Sequence, residues 1–81
     1  MAVHLYALST CPYCRMTKKF LDEHEVAYDI TEVDLLEGAE KEAAIAEVVR
    51  LSGGKSFPVL YVDGQVVVGF NKGRMTQVLG L

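Results

Sequence analysis

Cys11-Pro12-Tyr13-Cys14 holds both cysteines of an 81-residue chain. An apolar run, Ala2 to Leu8, precedes it, and a segment of helical periodicity follows. Ser9 and Thr10 break the run and supply oxygens that can accept hydrogen bonds from the free amides of a helix start. Pro12 falls in the first turn, where its missing N–H costs nothing. The four residues therefore read as a strand-to-helix junction carrying two thiols. Residues three apart on a helix lie roughly 5 Å apart, within the roughly 4.4–6.8 Å that a disulfide requires between Cα atoms. Such a pair can close and reopen a bond with little backbone movement. Cys11, at the helix start, is the expected exposed nucleophile, and Cys14, one turn further in, the expected resolving thiol. A helix N-terminus favours the thiolate that does the attacking. Amides of Tyr13 and Cys14, or the Cys14 thiol, are the expected hydrogen-bond donors to that sulfur.

Two other uses of paired cysteines fit less well. A static disulfide across so short a loop adds little stability, and a reducing cytosol opens it. A zinc site wants four ligands, whereas the only histidines, His4 and His24, lie on different elements. Both read as structural.

Further out, Tyr13 to about His24 places Thr17, Phe20, Leu21 and His24 on one helical face, with Arg15, Lys18, Lys19, Asp22 and Glu23 largely on the other. Val26 to Val33 reads as a second strand, which completes a βαβ unit with parallel strands. Gly38 to Leu51 is a second helix, stopped by Gly53-Gly54. Val59–Val62 and Val66–Val68 flank Asp63-Gly64, a hairpin signal. Gly69 to Gly73 reads as a turn and Arg74 to Leu79 as a closing helix. The order β-α-β-α-β-β-α fills a single domain, residues 1–81, with no linker or repeat. Met16 and Met75 suit apolar gaps.

Composition narrows the partners. The hydrophobic share of 51% supports a core without covalent staples, and a net charge of −3 argues against a nucleic-acid surface. No apolar run approaches the roughly 20 residues of a membrane span, and no signal-peptide pattern opens the chain. A cytoplasmic monomer is the expectation.

The Cys11-Pro12-Tyr13-Cys14 motif, the Phe57-Pro58 step and the hairpin ending at Gly69 together resemble the glutaredoxins over nearly the whole chain. The resemblance implies a thioredoxin-like three-layer α/β fold, a four-stranded mixed sheet flanked by three helices. It implies a dithiol–disulfide oxidoreductase with no bound cofactor and with glutathione as co-substrate. Disulfide-containing proteins or glutathione mixed disulfides are then the substrates. It also implies a cis peptide before Pro58 and pairing of the Phe57 backbone with the substrate's cysteine, as an added strand would pair.

The remaining candidates each carry two readings. Tyr13 either stacks on a substrate and shields the dithiol or is an exposed aromatic without a partner. Thr10 either tunes the thiol or caps the helix. Arg15, Lys18 and Lys19 either stabilise a thiolate or form a solvated face. Lys55 either binds the glycyl carboxylate of glutathione or is an ordinary loop lysine. After the last strand, glutaredoxins usually carry Gly-Gly and acidic residues for the γ-glutamyl end. Here Gly69-Phe70-Asn71-Lys72 stands instead. Asn71 can accept a hydrogen bond, and the Phe70 and Asn71 amides can meet a carboxylate. The Gly-Phe pair is similar to the redoxins that reduce ribonucleotide reductase and draw electrons from thioredoxin reductase, in which the phenylalanine forms an apolar contact surface. Phe70 as a core residue is the plainer alternative. An iron–sulfur cluster carrier, against which Pro12 counts, and a non-catalytic binding module complete the rivals.

Overall fold

The computed structural model describes residues 2–81. Its elements are β1 (Val3–Ala7), α1 (Pro12–Glu23), β2 (Asp29–Glu32), a 3-10 turn (Val33–Leu35), α2 (Gly38–Ser52), β3 (Val59–Val62), β4 (Gln65–Val68) and α3 (Lys72–Leu79). The sheet order is β2-β1-β3-β4. β1 runs parallel to β2, with Leu5 opposite Ile30, and antiparallel to β3, with Leu5 opposite Leu60. β3 and β4 form the hairpin, with Val62 opposite Gln65. Asp63 (φ 45°) and Gly64 (φ 89°) both take positive φ, which a two-residue type I′ connection requires. This open, mixed four-stranded sheet with three helices is the thioredoxin-like fold that the resemblance implies.

Alternation along the strands builds two cores. Val3, Leu5 and Ala7 of β1, Leu60 and Val62 of β3, and Val67 of β4 meet Cys14, Phe20 and Leu21 of α1 and Met75, Val78 and Leu79 of α3. On the opposite face Val59 packs with Val33, Ala44 and Val48 under α2. Leu60 is 1% exposed at the centre of the larger core. Leu60→Ala is expected to cost about 2–5 kcal/mol, the range for buried leucine truncation, read as a lowered urea midpoint with an unchanged slope.

Several expectations shift. The reading of β1 as buried on both faces gives way to alternation, because His4 and Tyr6 on the α2 side are only half-buried. His4 is structural: its Nε2 lies 2.7 Å from Thr31 Oγ1, and its ring stacks on Tyr6. β2 begins at Asp29, not Val26. Glu25 (φ 55°) turns the chain after α1, and the Val26 N–H donates to the Leu21 carbonyl at 2.9 Å. Val26 and Tyr28 then pack on the core from a loop. α3 starts at Lys72, inside the expected turn, because Asn71 caps it. Met75 fills the core, whereas Met16 is 44% exposed. His24 is exposed at the end of α1, with its ring against Phe20. Among the described residues, no helix is long and apolar enough to cross a membrane.

Candidate dithiol active site

The dithiol sits where β1 gives way to α1. The Cys11 N–H donates back to the Leu8 carbonyl at 3.3 Å. That turn holds Cys11 in extended backbone (φ −82°, ψ 119°) as the N-cap of α1. Its Sγ accepts the Cys14 N–H at 3.3 Å, taking the place that a serine or aspartate oxygen fills at other helix starts. Of the two expected amides only that of Cys14 reaches it among the described residues.

Ser9 and Thr10 are therefore not the cap. Ser9 turns away, and its N–H and hydroxyl both donate to the Asp34 carboxylate, at 2.9 and 2.5 Å. These bonds hold the Asp34 carboxyl below the usual carboxylate range. Thr10 is exposed.

Cys14 is fully buried, whereas Cys11 is half-buried, and both are free. The Leu8 N–H lies 3.5 Å from the Cys14 Sγ, and the Cys14 thiol donates to Cys11. Burial pushes the Cys14 thiol up to about 12; its bond to Cys11 adds to the rise, and the Leu8 amide offsets part of it. The pair is thus asymmetric: an accessible acceptor sulfur outside, a protonated thiol inside.

The Phe57–Pro58 peptide is cis, as the resemblance implies. Pro58 is buried, and its carbonyl accepts the Gly69 N–H at 2.8 Å. Gly69 has φ 78°, a left-handed conformation that favours glycine, so its place in the site is to tie the end of β4 to the proline. Phe57 is half-buried and packs on both cores. Among the described residues its backbone N–H and C=O have no hydrogen-bond partner, leaving an edge on which an extended segment can pair.

The other candidates divide into two places. Lys55 is exposed and lines a cavity of about 180 Å³ with Leu8, Lys41 and Phe57. Phe70 packs on the larger core but also lines a groove with Met16, Phe20 and Lys72 between α1 and the start of α3. Both readings of Phe70 are thus partly met. Asn71 uses its Oδ1 to accept the Arg74 N–H at 3.0 Å, so its first task is the α3 cap. Pro12 is exposed, and Tyr13, 60% exposed, presents its ring to solvent. Arg15 and Lys19 are exposed, but Lys18 is not merely a solvated residue. It pairs with Glu32 at 2.7 Å, with both side chains about one-quarter exposed, and its charge bears on Cys14.

The sequence reading passed over Leu8, Ser9 and Asp34 as parts of the site. Leu8 acts through its backbone, which leaves no mark on residue type. The Ser9–Asp34 contact joins residues 25 apart; an aspartate just after the second strand is its only trace.

A reduced cysteine pair at the head of the first helix, with a buried cis-proline in this sheet, defines a thiol–disulfide redoxin of thioredoxin fold. The glutaredoxin family model matches residues 3–67. A glutaredoxin structure from Archaeoglobus fulgidus superposes with a TM-score of 0.93 at 36% identity, over 98% of this chain and 87% of that one. Glutaredoxin 1 of Rickettsia prowazekii is 37% identical over 93% of this chain and 83% of its own. The glutaredoxin-like protein NrdH of Lactococcus lactis is 29% identical over 94% and 97%. The chain belongs to the glutaredoxin family, and its class is thiol–disulfide oxidoreductase.

Proposed function

We propose that the protein reduces disulfides of proteins, or glutathione mixed disulfides, through Cys11 and Cys14. The observation that carries this reading is the asymmetry of the pair: Cys11 is accessible and accepts the Cys14 amide, and Cys14 is sealed behind it. The Cys11 thiolate attacks one sulfur of the substrate disulfide, forming a mixed disulfide and expelling the other sulfur as a thiolate. Cys14 then gives up its proton and attacks the Cys11 sulfur. The Cys11–Cys14 disulfide forms, and the second substrate thiolate leaves and is protonated. Two electrons and two protons pass from the dithiol to the substrate, so an external thiol or reductase must restore the pair. The free Phe57 backbone holds the substrate's cysteine, and Pro12, Tyr13 and Pro58 frame the approach.

A second reading for the electron source rests on Phe70 and Lys72. The expected acidic residues for the γ-glutamyl ammonium of glutathione are missing there, and Phe70 lines an open, partly apolar groove. That favours a redoxin recharged by thioredoxin reductase, with ribonucleotide reductase as its acceptor. Oxidised protein mixed with NADPH and either glutathione plus glutathione reductase, or thioredoxin reductase, separates the two. Turnover with glutathione supports the glutaredoxin reading, and turnover with thioredoxin reductase alone supports the second. Turnover with neither, when dithiothreitol also fails to support reduction of insulin, overturns both.

A further inference from the structure

Lys18 follows Cys14 by one turn of α1, a spacing at which side chains on a helix are neighbours. Of the two lysines on that helix it is the one drawn inward: its side chain is 25% exposed, against 78% for Lys19. Glu32 of β2 holds its ammonium at 2.7 Å. Tyr28, in the loop before β2, also feels the Lys18 charge, and its hydroxyl donates to Asp22 at 3.4 Å. In the core that encloses Cys14, β3, β4 and α3 contribute apolar side chains, Leu60, Val67 and Met75 among them. The groups that act on charge at the Cys14 sulfur are the Leu8 N–H, Cys11 and Lys18. They do not act alike through the reaction. While Cys11 is free, its sulfur accepts the Cys14 thiol hydrogen, and any charge on it opposes a second thiolate. Once Cys11 is bonded to substrate, that bond and that charge are gone. The Leu8 amide and the Lys18 ammonium remain, and both favour the Cys14 thiolate.

We infer that Lys18, held in place by Glu32, serves the second step of exchange, its ammonium steadying the Cys14 thiolate once Cys11 has taken up substrate. The inference rests on the oxidoreductase reading above and adds a regulation to its site: the inner thiol stays protonated until the outer one is occupied. In that step the Cys14 thiol gives its proton to a solvent base, and the thiolate attacks the Cys11 sulfur. The Cys11–Cys14 bond forms, the bond from Cys11 to substrate breaks, and the departing thiolate takes up a proton. Lys18 keeps its own proton throughout and supplies only charge. Opposite charges attract more strongly where water is scarce, and the pairing with Glu32 keeps Lys18 from extending into solvent. Of that pair it is Lys18 whose charge reaches Cys14. Lys19, paired only loosely with Glu23 at 3.9 Å, provides the comparison within the same helix.

The test mixes pre-reduced protein with 2,2′-dithiodipyridine, a neutral disulfide whose two thiopyridone products are read by their absorbance. Attack by Cys11 releases the first in a phase whose rate follows reagent concentration; attack by Cys14 releases the second in a phase whose rate does not. A thiolate fraction about tenfold smaller slows attack only about threefold, because the more basic sulfur is the better nucleophile. In Lys18→Met the second phase is therefore expected to slow about threefold or more at neutral pH, while the first phase holds its rate. The rise of the second phase with pH should also move to higher pH. Lys18→Arg, which keeps the positive charge, should restore both, and Lys19→Met should change neither phase. If Lys18→Met does not fold, Lys18→Gln, which can still donate to Glu32 but carries no charge, is measured in its place. Equal second phases in wild type and variant at every pH overturn the inference and leave the oxidoreductase reading standing. So does a slowing that strikes both phases alike or that arginine fails to mend, because lost packing then accounts for it. Release of fewer than two thiopyridones by the wild type overturns both.

Discussion

Cys11→Ser is expected to remove disulfide reduction altogether, by on the order of a thousandfold or more, as loss of a nucleophile does. The fold should survive the change, because serine is itself a preferred N-cap and its oxygen can accept the Cys14 N–H that the sulfur now accepts. Loss of activity with a nearly unchanged thermal midpoint therefore isolates the chemistry from the architecture. Cys14→Ser should behave differently. Cys11 remains able to attack, but nothing displaces the first product, so the mixed disulfide with a protein substrate accumulates and is visible by mass. Turnover of glutathione mixed disulfides by this variant should persist only where free glutathione can act as the second thiol. Appreciable insulin reduction by Cys11→Ser, or failure of Cys14→Ser to trap an adduct, would reverse the roles proposed for the two sulfurs.

The features legible beforehand were those written in local pattern. The four-residue cysteine spacing, the apolar run before it and the Asp63-Gly64 pair each constrain neighbouring dihedrals, and the corresponding elements formed where expected. Misses fell where residues far apart compete for the same backbone. Val26 and Tyr28 have the composition of a strand, but the turn at Glu25 places them in a loop packed on the core. Ser9 and Thr10 have the composition of an N-cap, yet the sulfur of Cys11 occupies that position and Asp34 claims Ser9. Asn71 carried a usable signal for the start of α3, a capping residue ahead of a helical segment, which Gly73 obscured. In the site, spacing alone showed that two thiols could join. Only the fold shows which is sealed, because the burial of Cys14 comes from β1, β3 and α3 together with its own helix. The same holds for the cavity beneath Phe57. Lys41 lies in the first turn of α2 and Lys55 beyond its end, and no periodicity relates them to Leu8.

That sealing has a thermodynamic consequence: the reduced protein should lose stability as the pH rises above about 8.5, chiefly through Cys14. An unfolded chain's thiol ionises near about 8.5, whereas burial and the bond to Cys11 raise the folded-state value to about 12. Between those limits the unfolded state gives up its proton and the folded state keeps it, so folding binds a proton and stability falls with pH. Below about 8.5 both states are protonated, and the Cys14 contribution is fully present. The steepest loss from one such group is about 1.4 kcal/mol per pH unit. Tyr6 and Tyr28, both raised mainly by burial, act in the same direction above about 10, so a single curve cannot assign the effect. Urea midpoints of the reduced wild type and of Cys14→Ala, taken at intervals from pH 7 to 11 with a phosphine reductant, can. The tyrosines are common to both proteins, and the difference between the curves is expected to narrow as the pH rises, because only the wild type holds a proton at that buried sulfur. The disulfide form of the wild type, in which the Cys14 sulfur carries no proton, should likewise lack the loss that Cys14 causes. Parallel curves for reduced wild type and variant would mean that the inner sulfur ionises as readily in the fold as out of it. The protonated inner thiol assumed for the second step of exchange would then have to be abandoned.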